Sequence, residues 1–173
     1  MTPDADRRRF EAAVEPLIPD LLRYFARRVE PRADAEDCVS ETTFALWRHR
    51  RRLPVASEEQ RMWAFGIARN VLANHVRKRA RRARIDENLV REEAAPVSDE
   101  AFLALEALDT LPPADQELLR LVLWDGFGIA EAGALVGVRP AAARKRYERA
   151  RGRLRDAFGA LQSLLDVPES APR

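Results

Sequence analysis

Apolar residues in this chain return at steps of three and four, and nowhere do they alternate over a useful length. Phe10, Val14, Leu17, Leu21, Leu22, Phe25 and Val29 trace one such stripe, with Pro16 and Pro19 bending its start. That step matches the turn of an α-helix, so the pattern predicts an all-α fold class. Composition agrees, because Ala, Arg, Leu and Glu dominate and all four favour helices. The 7 Gly and 11 Pro gather between the stripes or at their ends.

Helices can then be placed one by one. Asp34 is expected to N-cap a helix running to about Arg52, its carboxylate accepting the amide of Asp37, with Val39, Thr43 and Leu46 buried. Leu53 to Glu58 reads as a loop containing Pro54. A third helix starts near Ser57 or Glu58 and turns Trp63, Ile67, Val71, Leu72 and Val76 inward. Residues from about Ala83 to Ser98 carry charge and few large apolar side chains, which reads as a linker. Beyond it, Phe102, Leu105, Leu108 and Leu111 form a short helix closed by Pro112 and Pro113. Asp115 to Trp124 forms the next, with Leu118, Leu119, Val122 and Leu123 on its apolar side, and Asp125-Gly126 ends it. Ile129 to Val136 is stopped by Gly137, and Pro140 opens an Arg-rich helix reaching about Leu161. Trp124 and Trp63 read as core residues, and Trp47 is open between core and surface.

Composition excludes several classes. No stretch approaches the roughly 18 apolar residues of a membrane span, and Met1 to Glu11 lacks an apolar signal core, so a cytoplasmic protein is expected. The single Cys38 cannot close an internal disulfide and reads as a small buried apolar residue. His49 and His75 stand apart from possible metal ligands, so no metal or cofactor is expected; His49 reads as exposed.

The net charge of +2 is informative only when mapped. Six of the eight residues from Arg77 to Arg84 are basic, and Arg139 to Arg155 holds eight basic residues against Glu148 alone. Between them, Asp86 to Glu100 carries six acids against Arg91. Two separate basic segments suggest two surfaces for a polyanion. Either segment alone has a plainer explanation, a solvated helical face. The second segment coincides with a short apolar helix, a turn through Gly137-Val138 and a longer Arg-rich helix, the layout of a helix-turn-helix. In that motif the second helix enters the major groove of duplex DNA. Arg139, Ala142, Arg144, Lys145 and Arg146 are the candidates to reach base edges or phosphates there, and Arg149, Arg151, Arg153 and Arg155, further along, to track phosphate or other partners. A helical hairpin with a solvated basic face is the alternative.

The stretch ALDTLPPADQELLRLVLWDGFGIAEAGALVGVRPAAARKRYERARGRLR, from Ala107 to Arg155, resembles the C-terminal promoter-binding domain of RNA polymerase sigma factors. DAEDCVSETTFALWR (Asp34 to Arg48) and WAFGIARNVLANHVRKRARR (Trp63 to Arg82) are similar to the polymerase-docking helix and the −10-reading helix pair of that family. Their order, with only those two domains present, resembles the extracytoplasmic-function (ECF) group of the sigma-70 family. The resemblance implies an N-terminal region 2 domain over residues 1–84, an acidic linker at 85–100 and a region 4 domain at 101–163; residues 164–173 read from their composition as a disordered tail. It implies core RNA polymerase and promoter DNA as partners, an anti-sigma factor as a further one, and no enzymatic activity.

Site residues follow from the same resemblance. Asp37, Ser40, Glu41 and Phe44, spaced for one helix face, are implied to meet core polymerase. Ser40 stands where the family commonly has Gln. Asn70 is implied to hold a flipped base of the non-template strand, for which an amide offers both donor and acceptor. The Leu53 to Gln60 loop is implied to complete that pocket, although it lacks the family's usual aromatic residues and Gly. Asn74 (where Asp is common), His75, Arg77, Lys78, Arg79, Arg81 and Arg82 are implied to grip the melted −10 segment. Arg139, Ala142, Arg144, Lys145, Arg146 and Arg149 are implied to bind the −35 duplex. Asp86, Glu87, Glu92 and Glu93 of the linker are candidates for mimicking RNA in the exit path, against a solubilising tether.

Two other function classes remain at this point. A stand-alone helix-turn-helix regulator would bind duplex DNA tightly by itself, but leaves the two N-terminal motifs without a purpose. A nuclease or recombinase using Tyr147 as nucleophile is the second. Tyr147 stands where the family has apolar residues, so packing accounts for it better, and the acids show no metal-ligand spacing.

Overall fold

The computed structural model describes residues 3–83 and 99–165. Those of Met1–Glu93 pack as one unit and those of Ala94–Arg173 as another. Every regular element among the described residues is helical, as the three-to-four spacing requires.

The first unit begins with α1 (Pro3–Val14), a 3-10 turn at Glu15–Leu17 and α2 (Ile18–Ala26). Pro16 and Pro19 occupy the opening positions of the turn and of α2, where an amide has no helical partner to lose. Next come α3 (Asp34–Arg48), a 3-10 turn at Arg50–Arg52, and α4 (Ser57–Ala83). Glu58 and Glu59 begin α4 and Arg81 and Arg82 end it, so the charges suit the helix dipole at both ends.

Phe10, Val14, Leu46 and Ala64 form one core cluster, with Leu17, Trp47, Trp63 and Ile67 packed against it. Phe10 meets Trp47 edge to face, with ring centroids 5.1 Å apart. Beside this cluster Tyr24 is fully buried, its ring 5.2 Å from Phe25 and 5.4 Å from Phe65 in the same geometry. Full burial of such a side chain contributes roughly 1.5–3 kcal/mol.

Several expected positions shift by one residue. Cys38 and Thr42 are buried on α3, while Val39 and Thr43 are half-buried. Thr42 tolerates this because its hydroxyl donates to the Cys38 carbonyl at 2.7 Å. Leu22 and Val76 face out, while Tyr24 and Phe65, which the stripes did not mark, are fully buried. Asp34 is the first residue of α3 rather than its cap; Ala33 precedes the helix and no side chain caps it. The helix also stops at Arg48, four residues short of Arg52, where the chain tightens into the 3-10 turn.

The second unit contains α5 (Asp99–Asp109), α6 (Pro113–Leu123), α7 (Ile129–Leu135) and α8 (Pro140–Leu165). The first three all pack on α8, which presents Ala143, Tyr147 and Ala150 to them. Tyr147 is therefore a packing residue. On α5 the buried positions are Leu103, Ala107 and Leu108, so Phe102 and Leu105, expected inside, are exposed. Leu123 and Trp124 are likewise exposed, against the expectation that both belong to the core, because α6 ends there and turns its inner face through Leu118, Leu119 and Leu121.

The α7–α8 corner depends on two glycines. Gly137 has φ 77° and ends α7, with its amide donating to Ala134 and the Val138 amide to Gly133. Gly133 lies under α8 so closely that an added Cβ would fall 2.4 Å from the Ala143 Cβ.

Candidate nucleic-acid interface

In the second unit the buried triplet Ala143, Tyr147 and Ala150 fixes which side of α8 faces solvent. Arg139, Ala142, Arg144, Lys145 and Arg149 all lie on that exposed side, at the start of the helix. A row of cations on the open edge of a helix-turn-helix suits phosphates and guanine edges. Upstream, the Glu131 carboxylate accepts the Gly128 amide at 2.7 Å and holds the start of α7.

Arg146 is placed differently from its neighbours. It is half-buried, and its Nε donates to Asp115 Oδ1 at 2.6 Å. Arg153, two turns on, donates from Nη1 to the other oxygen at 2.9 Å. Asp115 is only 5% exposed, so one buried carboxylate joins α6 to two arginines of α8. Nothing in the sequence pattern singles out Asp115, because an acid in a first helical turn is ordinary.

In the first unit, Asp37, Ser40, Glu41 and Phe44 do share one exposed face of α3, with Phe44 63% exposed. Asn70 and Asn74 are exposed on α4, across from it. Glu41 and Phe44 of α3, His49 just beyond its end, and Asn70 and Asn74 of α4 line a common open cleft of about 380 Å³. Residues expected in two separate surfaces are thus brought together, while His49 is exposed as expected. Further down α4, Lys78 Nζ lies 3.7 Å from Glu41, and His75 Nε2 lies 3.4 Å from Asp34. Asn74 accepts a hydrogen bond from Arg77, whose Nε also donates to the Ala73 carbonyl at 3.2 Å. Arg79 is half-buried, and Arg81 and Arg82 are exposed. The cross-helix pairs escaped sequence reading because they join residues more than thirty-five positions apart.

Cys38 lies under this surface. Burial, aided by the carboxylates of Glu41, Asp34 and Asp37, pushes its thiol from 9.0 up to about 11, so it stays protonated and inert.

The loop before α4 is held from both ends. Leu53 is buried, Val55 is 88% exposed, and Gln60 donates to the carbonyls of Pro54 and Val55 at 3.0 and 3.3 Å. The linker acids Asp86, Glu87, Glu92 and Glu93, with Arg84 and residues 166–173, lie outside the described residues. Among the described residues, no group of three His, Cys, Asp or Glu side chains is arranged to hold a metal ion.

Residues 13–82 match the family model for sigma-70 region 2, and residues 101–154 that for sigma-70 region 4. The chain is 31% identical over 153 residues to RNA polymerase sigma factor CarQ of Myxococcus xanthus, spanning 83% of this chain and 86% of CarQ. It is 32% identical over 152 residues to ECF RNA polymerase sigma factor SigF of Caulobacter vibrioides, spanning 85% and 84%. Its fold is similar to that of the sigma factor RpoE of Bartonella quintana, solved in complex with the anti-sigma factor NepR. There the TM-score is 0.70 at 24% identity, over 88% of this chain and 98% of that one. Two domain matches in order, with exposed basic surfaces on both units, leave a stand-alone regulator or a Tyr147 enzyme without support; the chain belongs to the sigma-70 family of RNA polymerase sigma factors, in its ECF group, and is a promoter-directing transcription initiation factor.

Proposed function

We propose that the two units divide promoter reading between them. Residues 1–84 capture the opened −10 strand, residues 101–163 bind the −35 duplex, and residues 85–100 tether them with acidic side chains. Asp37, Ser40, Glu41 and Phe44 dock on core polymerase. Asn70 receives an extruded base, while Asn74, His75, Arg77, Lys78, Arg79, Arg81 and Arg82 hold the strand around it. Arg139, just before α8, and Ala142, Arg144, Lys145 and Arg149 on it face the −35 groove, and Arg146 orients the helix through Asp115.

The observation that carries this reading is the Asn70 cleft beside the basic end of α4. An extruded base requires a polar recess, and the phosphates on either side require cations. The unstacking cost of a few kcal/mol is met by base capture and phosphate contacts, so this protein itself makes and breaks no bond. Two tethered modules on one polymerase can each bind weakly and still act tightly together.

The cytoplasm, where polymerase works, is the proposed location; among the described residues no helix is long and apolar enough to cross a membrane. An anti-sigma protein is a further proposed partner, supported by the uncovered apolar side chains Phe102 and Leu105 of α5. Permanganate footprinting of −10 thymines tests the assignment of Asn70. Holoenzyme carrying Asn70→Ala should keep closed-complex affinity and lose thymine reactivity; equal loss at both steps contradicts the assignment.

A further inference from the structure

One acid of α6 occupies two arginines of the helix that carries the basic surface. Asp115 accepts from Arg146 Nε through one carboxylate oxygen, at 2.6 Å, and from Arg153 Nη1 through the other, at 2.9 Å. The Asp115 side chain is almost wholly buried, whereas that of Arg153 is more than half exposed. The acid is inside, and the cations reach in to it from the rim.

The place of those arginines on α8 gives the contact its meaning. Ala142, Arg146, Arg149 and Arg153 follow at steps of four, three and four, so they form a single row along the helix. Ala142 and Arg149 of that row are exposed, as are Arg144, Lys145 and Arg151 elsewhere on the helix. So basic a helix attracts any duplex, because each phosphate it neutralises releases counterions whatever the sequence. Such contacts carry no sequence information. Asp115 holds two of the row's three arginines back from them. Freeing both would strip a buried carboxylate of its partners, which costs more than a solvated phosphate contact returns.

We infer that Asp115 is a charge mask, which keeps Arg146 and Arg153 off DNA phosphates and so holds down the affinity of the free chain for duplex of any sequence. The inference rests on the reading of α8 as a duplex-binding helix. Its consequence is a free chain that remains available to polymerase instead of settling on the genome at large. The exposed cations of α8 then bind duplex firmly only when polymerase holds the chain in place.

The test measures binding of the full chain, without polymerase, to a random-sequence duplex over a range of KCl concentrations. The logarithm of affinity falls with that of salt by about 0.9 for each phosphate neutralised. Asp115→Asn removes the charge and keeps the size, and its amide oxygen still accepts from one arginine, so one or both are released. The slope should steepen by about 1–2, and affinity at about 0.1 M salt should rise roughly eightfold for each arginine released. Glu148→Gln removes the same charge from an exposed position on α8 itself and should leave the slope in place. Arg153→Gln should change nothing while Asp115 is present, and should take back about 0.9 of slope in the Asp115→Asn background. Equal steepening in Asp115→Asn and Glu148→Gln overturns the inference, as does an equal effect of Arg153→Gln in both backgrounds. Should Asp115→Asn fail to fold, the native acid decides: Arg149→Gln should lower the slope by about 0.9 and Arg153→Gln should not, and an equal loss refutes the mask. If no variant shows salt-dependent duplex binding, the reading of α8 falls and the inference with it. If the chain binds duplex and Asp115→Asn leaves the slope unchanged, that reading stands and the mask is refuted.

Discussion

The Asp115 carboxylate, buried between α6 and α8, accepts a hydrogen bond from Arg146 Nε at 2.6 Å and so makes one arginine of the recognition helix part of the fold. Arg146 and the exposed Arg144 are then separable by experiment. Arg144→Ala should weaken −35 binding and leave the melting temperature in place. Arg146→Ala should cost about 1–3 kcal/mol of stability, the range for a charge-assisted hydrogen bond, because a buried carboxylate loses a partner. Arg153, which is more than half exposed, keeps the remaining contact and limits the loss. Thermal unfolding alongside −35 duplex affinity, measured in holoenzyme, checks both.

Phe44 is the largest exposed apolar side chain on the α3 face, beside Glu41. An exposed aromatic contributes little to folding, so Phe44→Ala should change stability by no more than about 0.5 kcal/mol. As an interface anchor it should cost about 2 kcal/mol of core polymerase affinity, or roughly thirtyfold in Kd. Titration of labelled core polymerase with each variant measures this directly.

Gly133 is tested by volume. Its hydrogen sits where a Cβ would meet Ala143 at 2.4 Å, so Gly133→Val must push α8 away from α7. Overpacking of this kind costs about 1–3 kcal/mol. The expected result is a lower melting temperature together with reduced −35 binding, while interaction of the first unit with core polymerase is preserved.

Cys38 provides a pH signature. Its thiol is raised to about 11 in the folded chain by burial and neighbouring acids, against 9.0 when free. The unfolded chain therefore releases this proton first. The contribution to stability is complete below about pH 9 and declines as pH rises towards 11. Cys38→Ala should flatten that part of the pH–stability curve. Iodoacetamide at neutral pH should label the native protein far more slowly than the unfolded one.

Helix order was legible from periodicity, because proline and glycine punctuate the apolar stripes at Pro54, Pro112 and Gly137, but the single stripe from Phe10 to Val29 is divided at Glu15–Leu17 into α1 and α2. Inner faces were less so. On α5, Phe102 and Leu103 are adjacent and both apolar, and only the packing of α8 decides that Leu103 is inside. On α3, Thr42 and Thr43 are chemically identical, and the buried one is known only once the neighbouring helices are in place. The exposed face of α3 followed from simple helical spacing, whereas on α8 the half-burial of Arg146 against Asp115 did not. Missing from the pattern were interactions joining distant residues, namely Arg9 to the Leu53 carbonyl, Asp115 to Arg146, and Lys78 to Glu41. A backbone carbonyl leaves no trace in residue type, and a buried acid looks like a surface one until its partners are known.

Transcription reconstituted in vitro tests whether this chain directs polymerase to promoters. Bacterial core polymerase, with and without this chain, is given a genomic template and the 5′ ends of the RNA are mapped. New start sites should appear only with the chain present and share upstream elements at −35 and −10. Arg144→Ala should weaken use of the first element and Asn70→Ala opening at the second. If the chain neither associates with core polymerase nor creates a start site, two-headed promoter reading is contradicted.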